Sequence, residues 1–150
     1  MKDMKLLRTV LYLHHKLERA SRSFDVSISQ YRMLYYLSHG PRRAAELASE
    51  SSIRKPSITS LINTLESRGW ISREGDPADR RAISIRITQE GTAIMKAFER
   101  HLQDSLVEYL GAEAAADAEG QIEPLFELWN DRRKLRIKQW MQASKKDKTS

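Results

Sequence analysis

The chain has 150 residues, no cysteine, 40% apolar residues and a formal charge of +6. That length gives one domain with a real core and little room for a catalytic cleft, and the apolar content excludes a disordered polymer. Without cysteine there is no disulfide framework or zinc-thiolate site, which agrees with a reducing cytoplasm. The charge is uneven: residues 1–43 hold nine basic against three acidic side chains, residues 44–131 nine against sixteen, and residues 132–150 eight against one.

Met4–Phe24 carries Leu6, Val10, Leu13, Leu17 and Phe24 at helical spacing, with Leu7 and Leu11 alongside. This apolar arc is wider than one small domain needs. The run Leu6–Leu13 is broken by Arg8 and Thr9, so it reads as neither a signal peptide nor a membrane span. Ser29 is expected to cap a second helix through His39 that buries Met33, Leu34 and Leu37 and ends at Gly40-Pro41. Ala44–Ala48 reads as a short helix with Leu47 and Ala48 inward, and Ser49–Ile53 as a connecting turn.

Arg54–Gly69 has the ends of a single helix. Pro56 is tolerated in a first turn, and Gly69 suits a left-handed cap. Ile58, Leu61, Ile62 and Leu65 form an inward stripe at i, i+3, i+4, i+7. The opposite face holds Pro56, Ser57, Thr59, Ser60, Asn63 and Ser67. A solvated face would favour Glu, Lys, Gln or Arg, which are better helix formers. Short hydroxyl and amide side chains suit close approach to base edges in a DNA major groove. Two helices joined by a few residues, the second polar outward, predict a helix-turn-helix.

Residues 76–91 add a wing. Ile83, Ile85 and Ile87 alternate as in a half-buried strand, and Ile71–Glu74 is the expected antiparallel partner. Arg80 and Arg81 then fall at a hairpin tip, placed to meet something anionic. Thr88 caps a helix to about Leu110 with Ile94, Met95, Phe98, Leu102, Leu106 and Tyr109 on one side, and Gly111 breaks it. A last helical region spans about Glu113 to Gln142, with Gly120 and Pro124 near its start.

Glu46-Leu47-Ala48, Leu65-Glu66-Ser67-Arg68-Gly69-Trp70, Arg73, Asp76-Pro77-Ala78-Asp79-Arg80-Arg81 and Ile87-Thr88-Gln89-Glu90-Gly91 together resemble the MarR (multiple antibiotic resistance regulator) family, at motif level over about residues 29–91. The resemblance implies a mainly α fold, a winged helix-turn-helix with a two- to three-stranded β-wing. It implies dimerisation helices at 1–28 and 92–142, a DNA-binding domain at 29–91 and a disordered basic tail at 143–150. Carried over by position, it implies that Lys55, Pro56, Ser57, Thr59, Ser60 and Asn63 meet the major groove. Arg81 matches the minor-groove arginine, Asp79 the acid that orients it, and Arg80 a phosphate contact, with Arg73 also on the wing. Ser60 departs from the family's pattern, since many relatives carry an arginine in that region; weight then shifts to wing contacts and groove shape.

The implied function is a homodimeric repressor of transcription on a (pseudo)palindromic duplex operator, in the cytoplasm, with no membrane, metal or cofactor. Its two recognition helices would sit about one turn of B-DNA apart, roughly 34 Å. Family members often bind small aromatic or phenolic anions, for which Tyr12, His15, Arg32, Tyr35 and Tyr36 are the candidate lining here. Thiol-based sensing is excluded by the absence of cysteine. His14, His15, His39 and His101 lack metal-site spacing, and no nucleophile–base signature or phosphate-binding glycine loop supports an enzyme. The alternative is a winged module that binds proteins without DNA specificity of its own. The Ser/Thr/Asn face argues against it, because protein interfaces use aromatic and aliphatic anchors.

Overall fold

The computed structural model describes residues 4–51, 55–76 and 79–146, with side chains described throughout except at 55, 56, 76, 79–81, 140, 141 and 143–146. Two compact units divide the chain between Leu106 and Val107. The elements are α1 (Lys5–Phe24), α2 (Ile28–Ser38), α3 (Ala44–Ser51), α4 (Lys55–Ser67), β1 (Ile71–Asp76), β2 (Asp79–Ile87), α5 (Gln89–Leu110) and α6 (Ala112–Lys146).

In the first unit, one cluster unites Met33, Leu34 and Leu37 of α2, Leu47 of α3, Ile58, Ile62 and Leu65 of α4, Ile71, Ile85 and Met95. These are the inward stripes that the periodicity marks, so apolar burial is what fixes α3 and α4 against α2. Phe98 of α5 is fully buried and touches Phe24 and Tyr31, with ring centroids 5.4 and 5.3 Å away. The Tyr31 hydroxyl donates to Glu99 at 3.0 Å. Burial first, and then the Glu99 charge, push ionisation of this phenol far above its ordinary range.

The start of α2 differs from the expected cap. Ser27, not Ser29, caps it: Gln30 N–H donates to Ser27 Oγ, and Ser27 N–H donates to the Gln30 side chain. Ser-x-x-Gln closes this reciprocal box only from position 27, since three residues beyond Ser29 stands Arg32. α3 uses half of this device, with Arg43 N–H donating to Glu46 at 2.8 Å, which accounts for the glutamate of Glu-Leu-Ala. α3 also runs through Ser51, so Ser49–Ser51 are helical where a turn was expected, and residues 52–54 lie outside the described ones. Arg32 donates to the Ser51 carbonyl at 3.1 Å and so ties the end of α3 to α2.

α4 ends in a two-bond cap. Gly69 takes a φ of 72°, its N–H donates to Glu66 O, and Trp70 N–H reaches back to Leu65 O. The wing follows, antiparallel, with Ile71 opposite Ile87 and Arg73 opposite Ile85, and a register shift between Gly75 and Asp76. A third backbone segment joins it: Arg42 and Ile85 exchange both N–H···O bonds, at 3.0 and 2.8 Å. Ile85 is buried there, whereas Ile83, opposite Gly75, is 59% exposed because the strand has by then passed the end of the core.

Thr88 and Gly91 dock α5 on the wing's base. Gly91 N–H donates to Thr88 Oγ1, whose hydroxyl donates to Gly69 O, and Thr88 N–H donates to Trp70 O. A Cβ on Gly91 would overlap the Trp70 carbonyl. The Thr-x-x-Gly motif is thus a requirement of close backbone approach.

In the second unit, α6 runs unbroken to Lys146, past the expected end near Gln142, with Pro124 inside it. Proline removes one backbone bond there, to the carbonyl of Gly120. Ile122, Phe126, Trp129 and Leu135 are each about half or more exposed. No helix among the described residues is long and apolar enough to cross a membrane.

Candidate nucleic-acid interface

α4 buries Ile58, Ile62 and Leu65 and turns Ser57, Thr59, Ser60, Asn63, Thr64 and Ser67 to the exterior. Two of the hydroxyls are partly spent on their own helix: Thr64 donates to Ser60 O at 3.0 Å and Ser67 to Thr64 O at 2.8 Å. The exposed Ser57, Thr59, Ser60 and Asn63 therefore share one uncharged, hydrogen-bonding face of short side chains. Lys55 and Pro56 lie in the first turn of that helix, and their side chains are outside the described ones.

Of the wing residues singled out in the sequence, Asp79, Arg80 and Arg81 begin β2, and the described atoms there are backbone alone. Arg73 is fully described. Its guanidinium lies against α4, 2.8 Å from Glu66 Oε2 and 2.6 Å from Asn63 Oδ1. Arg86 pairs across the ladder with Glu74 at 3.1 Å.

Three further arginines, Arg68, Arg42 and Arg32, fix the frame. Arg68 donates to the Asp25 carbonyl at 2.9 Å, pairs with its carboxylate at 3.2 Å and covers the Trp70 ring at 4.7 Å, so the end of α4 is held to the end of α1. Asp25 meets it in the left-handed conformation that closes α1. Arg42 stands 3.7 Å from Glu50 of α3, and Arg32 holds Ser51 as described. A signal existed for Arg68, which directly follows the last helical turn where a cation is favoured; the partner Asp25 is distant in sequence.

The five residues named as a small-molecule lining are distributed. Tyr12 is 72% exposed on α1 and His15 is also exposed. Tyr35 and Tyr36 pack against the core, with Tyr35 edge-on to His39 at 4.8 Å. Arg32 serves the α3 carbonyl.

A tri-helical core with a polar-faced second helix, followed by an antiparallel hairpin locked to it, defines a winged helix-turn-helix. A family model described as MarR family matches residues 24–82. An uncharacterized HTH-type transcriptional regulator of Mycobacterium leprae is 33% identical over 102 residues, covering 67% of this chain and 71% of its own. The HTH-type transcriptional repressor NicR of Pseudomonas putida is 30% identical over 59 residues, 39% of this chain and 37% of its own. Among solved structures, wild-type MarR from E. coli in its apo form superposes with a TM-score of 0.65 at 21% identity, over 83% of this chain and 97% of that one. A mutant of E. coli MarR complexed with operator DNA gives 0.59 at 22% identity, over 81% and 94%. The chain belongs to the MarR family of transcriptional regulators: it is a DNA-binding protein and not an enzyme.

Proposed function

We propose that this protein is a homodimeric repressor that binds a (pseudo)palindromic duplex operator in the cytoplasm and is released by a small aromatic or phenolic ligand. The observation that carries the operator reading is the exposed Ser57–Thr59–Ser60–Asn63 face of α4 beside the wing. Such a face offers donors and acceptors to base edges without the charge that would bind any phosphate equally. The operator complex of the E. coli relative and the repressor name of the Pseudomonas relative support the same reading. Residues 29–91 would form the DNA-binding domain, and 1–28 with 92–142 the dimerisation region.

Dimerisation is supported by surface that one protomer leaves uncovered. Leu6, Leu7, Val10 and Leu11 of α1 and Ile122, Phe126, Leu128, Trp129 and Leu135 of α6 are all 44% exposed or more. Apolar runs of that extent belong against a partner. Tyr12, His15, Arg32, Tyr35 and Tyr36 would meet the ligand in the assembled dimer.

A mobility-shift assay on the DNA upstream of the protein's own gene tests this. Retarded, saturable binding resisting excess random DNA is expected, with release on adding a phenolic acid such as salicylate. Binding that random DNA abolishes would overturn the operator reading. Release failing across a panel of aromatic acids would remove the ligand claim alone.

A further inference from the structure

Arg73 stands on β1 but spends its guanidinium on α4, with Glu66 Oε2 at 2.8 Å on one nitrogen and Asn63 Oδ1 at 2.6 Å on the other. A guanidinium has five donors and no acceptor. The amide edge that meets it must therefore be the oxygen, and the NH2 edge of Asn63 is turned away from the wing. No other described residue hydrogen-bonds the Asn63 amide. Glu66, one helical turn further along, neutralises the arginine and holds it in place; the two side chains are 37% and 36% exposed, so the pair is only half in water. A charge-assisted bond of this length fixes the amide more firmly than a neutral one would.

An asparagine free to choose its orientation reads adenine with both edges, accepting from N6 and donating to N7. Here one of the two lone pairs of the accepting oxygen is held by Arg73, which fixes the amide with its NH2 edge outward. We propose that Arg73 and Glu66 act as positioning residues that present the Asn63 amide as a donor, so that Asn63 selects a base with major-groove acceptors, guanine above all, and rejects cytosine. Guanine offers N7 and O6, both acceptors, while the cytosine edge offers only an N4 amine. Arg73 itself is then an internal support rather than a phosphate contact. The inference rests on the operator-binding reading above and adds to it the chemistry of one base position.

Selection of binding sites from a random-sequence duplex library tests it, with wild type, Asn63→Ala, Asn63→Asp and the double variant Arg73→Met/Glu66→Gln, each checked for folding by thermal melt. The base position whose preference Asn63→Ala levels is the one Asn63 reads. At that position wild type is expected to enrich guanine over cytosine about tenfold, within the range of one good base contact. Asn63→Asp keeps its bond to Arg73 and turns an acceptor outward, so cytosine or adenine should be enriched instead. The double variant frees the amide and should move the preference toward adenine.

Wild type enriching no sequence at all would bring down the operator reading and this inference with it. With a wild-type motif in hand, adenine or cytosine at the Asn63 position, or an Asn63→Asp motif unchanged from wild type, overturns the inference while leaving operator binding intact. A folded double variant that keeps the wild-type motif removes Arg73 and Glu66 from the account. Should the double variant fail to fold, the Asn63→Asp motif alone decides.

Discussion

Gly91 carries a demand that no side chain can meet. Its Cα faces the Trp70 carbonyl so closely that any Cβ must displace either backbone. Gly91→Ala should lower stability by about 1–3 kcal/mol, the range for overpacking a well-filled site. Urea unfolding reads this directly, and an unchanged midpoint would mean that α5 docks elsewhere. Arg81 poses the opposite case, a residue at the start of β2 that we propose meets the operator. Arg81→Ala should weaken operator binding by about 1–3 kcal/mol with the fold unchanged. Equal affinity in a titration against wild type would take the wing arginine out of the interface. Both positions were visible as letters in the sequence, in Thr-x-x-Gly and in Asp-x-Arg; a physical cause could be read for Arg81, a cation at a hairpin tip, but not for Gly91. Gly91 is set by a carbonyl 21 positions earlier in the chain, and such a contact leaves no mark on local periodicity.

At the level of elements, apolar period decided most of what could be read. The stripes on α2, α3 and α4 return as core, and the alternation in β2 returns at Ile85 and in part at Ile87, while Ile83 is exposed. Boundaries were less legible, because Ser27 and Ser29 are equally good caps until the side chain three residues on is weighed. Wing-to-helix pairing was illegible: Arg73 read as an outward cation since its partners Asn63 and Glu66 lie on another element. The α2–α5 junction offers a measurable case. The Tyr31 phenol holds its proton more tightly when folded than when unfolded. Its contribution to stability is therefore complete below the ordinary value near 10 and declines as pH rises beyond it. Tyr31→Phe should cost about 1 kcal/mol near neutrality through the lost bond to Glu99. It should also make the loss of stability between pH 9 and 11, a window bracketing that ordinary value, shallower than in wild type. Parallel slopes for the two proteins would show that Tyr31 does not sense alkali in the fold.

For the molecule as a whole, the uncovered apolar faces of α1 and α6 set the expectation. Light scattering should give about twice the 17.4 kDa of one chain, because exposed stripes of this extent do not persist in a soluble monomer. Removal of residues 113–150 should leave an aggregating chain without high-affinity DNA binding. A folded, monodisperse monomer from either protein would end the obligate-dimer account. The sequence indicated this surplus of apolar helix surface early, since arcs too wide for one domain are countable without coordinates. Which copy covers which helix is not a property of a single chain's periodicity.

The backbone bridge between Arg42 and Ile85 has a consequence of a different kind. It brings together two points 43 residues apart in sequence and encloses everything between them, α3, α4 and the hairpin, in a loop stitched shut at its neck. The inward face of that loop is also bound to α2 through the shared core and through Arg32–Ser51, and to α1 through Arg68–Asp25, so the outward residues are the ones that can change without disturbing the packing. On the homodimeric operator reading proposed above, new operator preferences would then be acquired by changing outward residues inside the loop, with the helices outside it left to set how two copies meet.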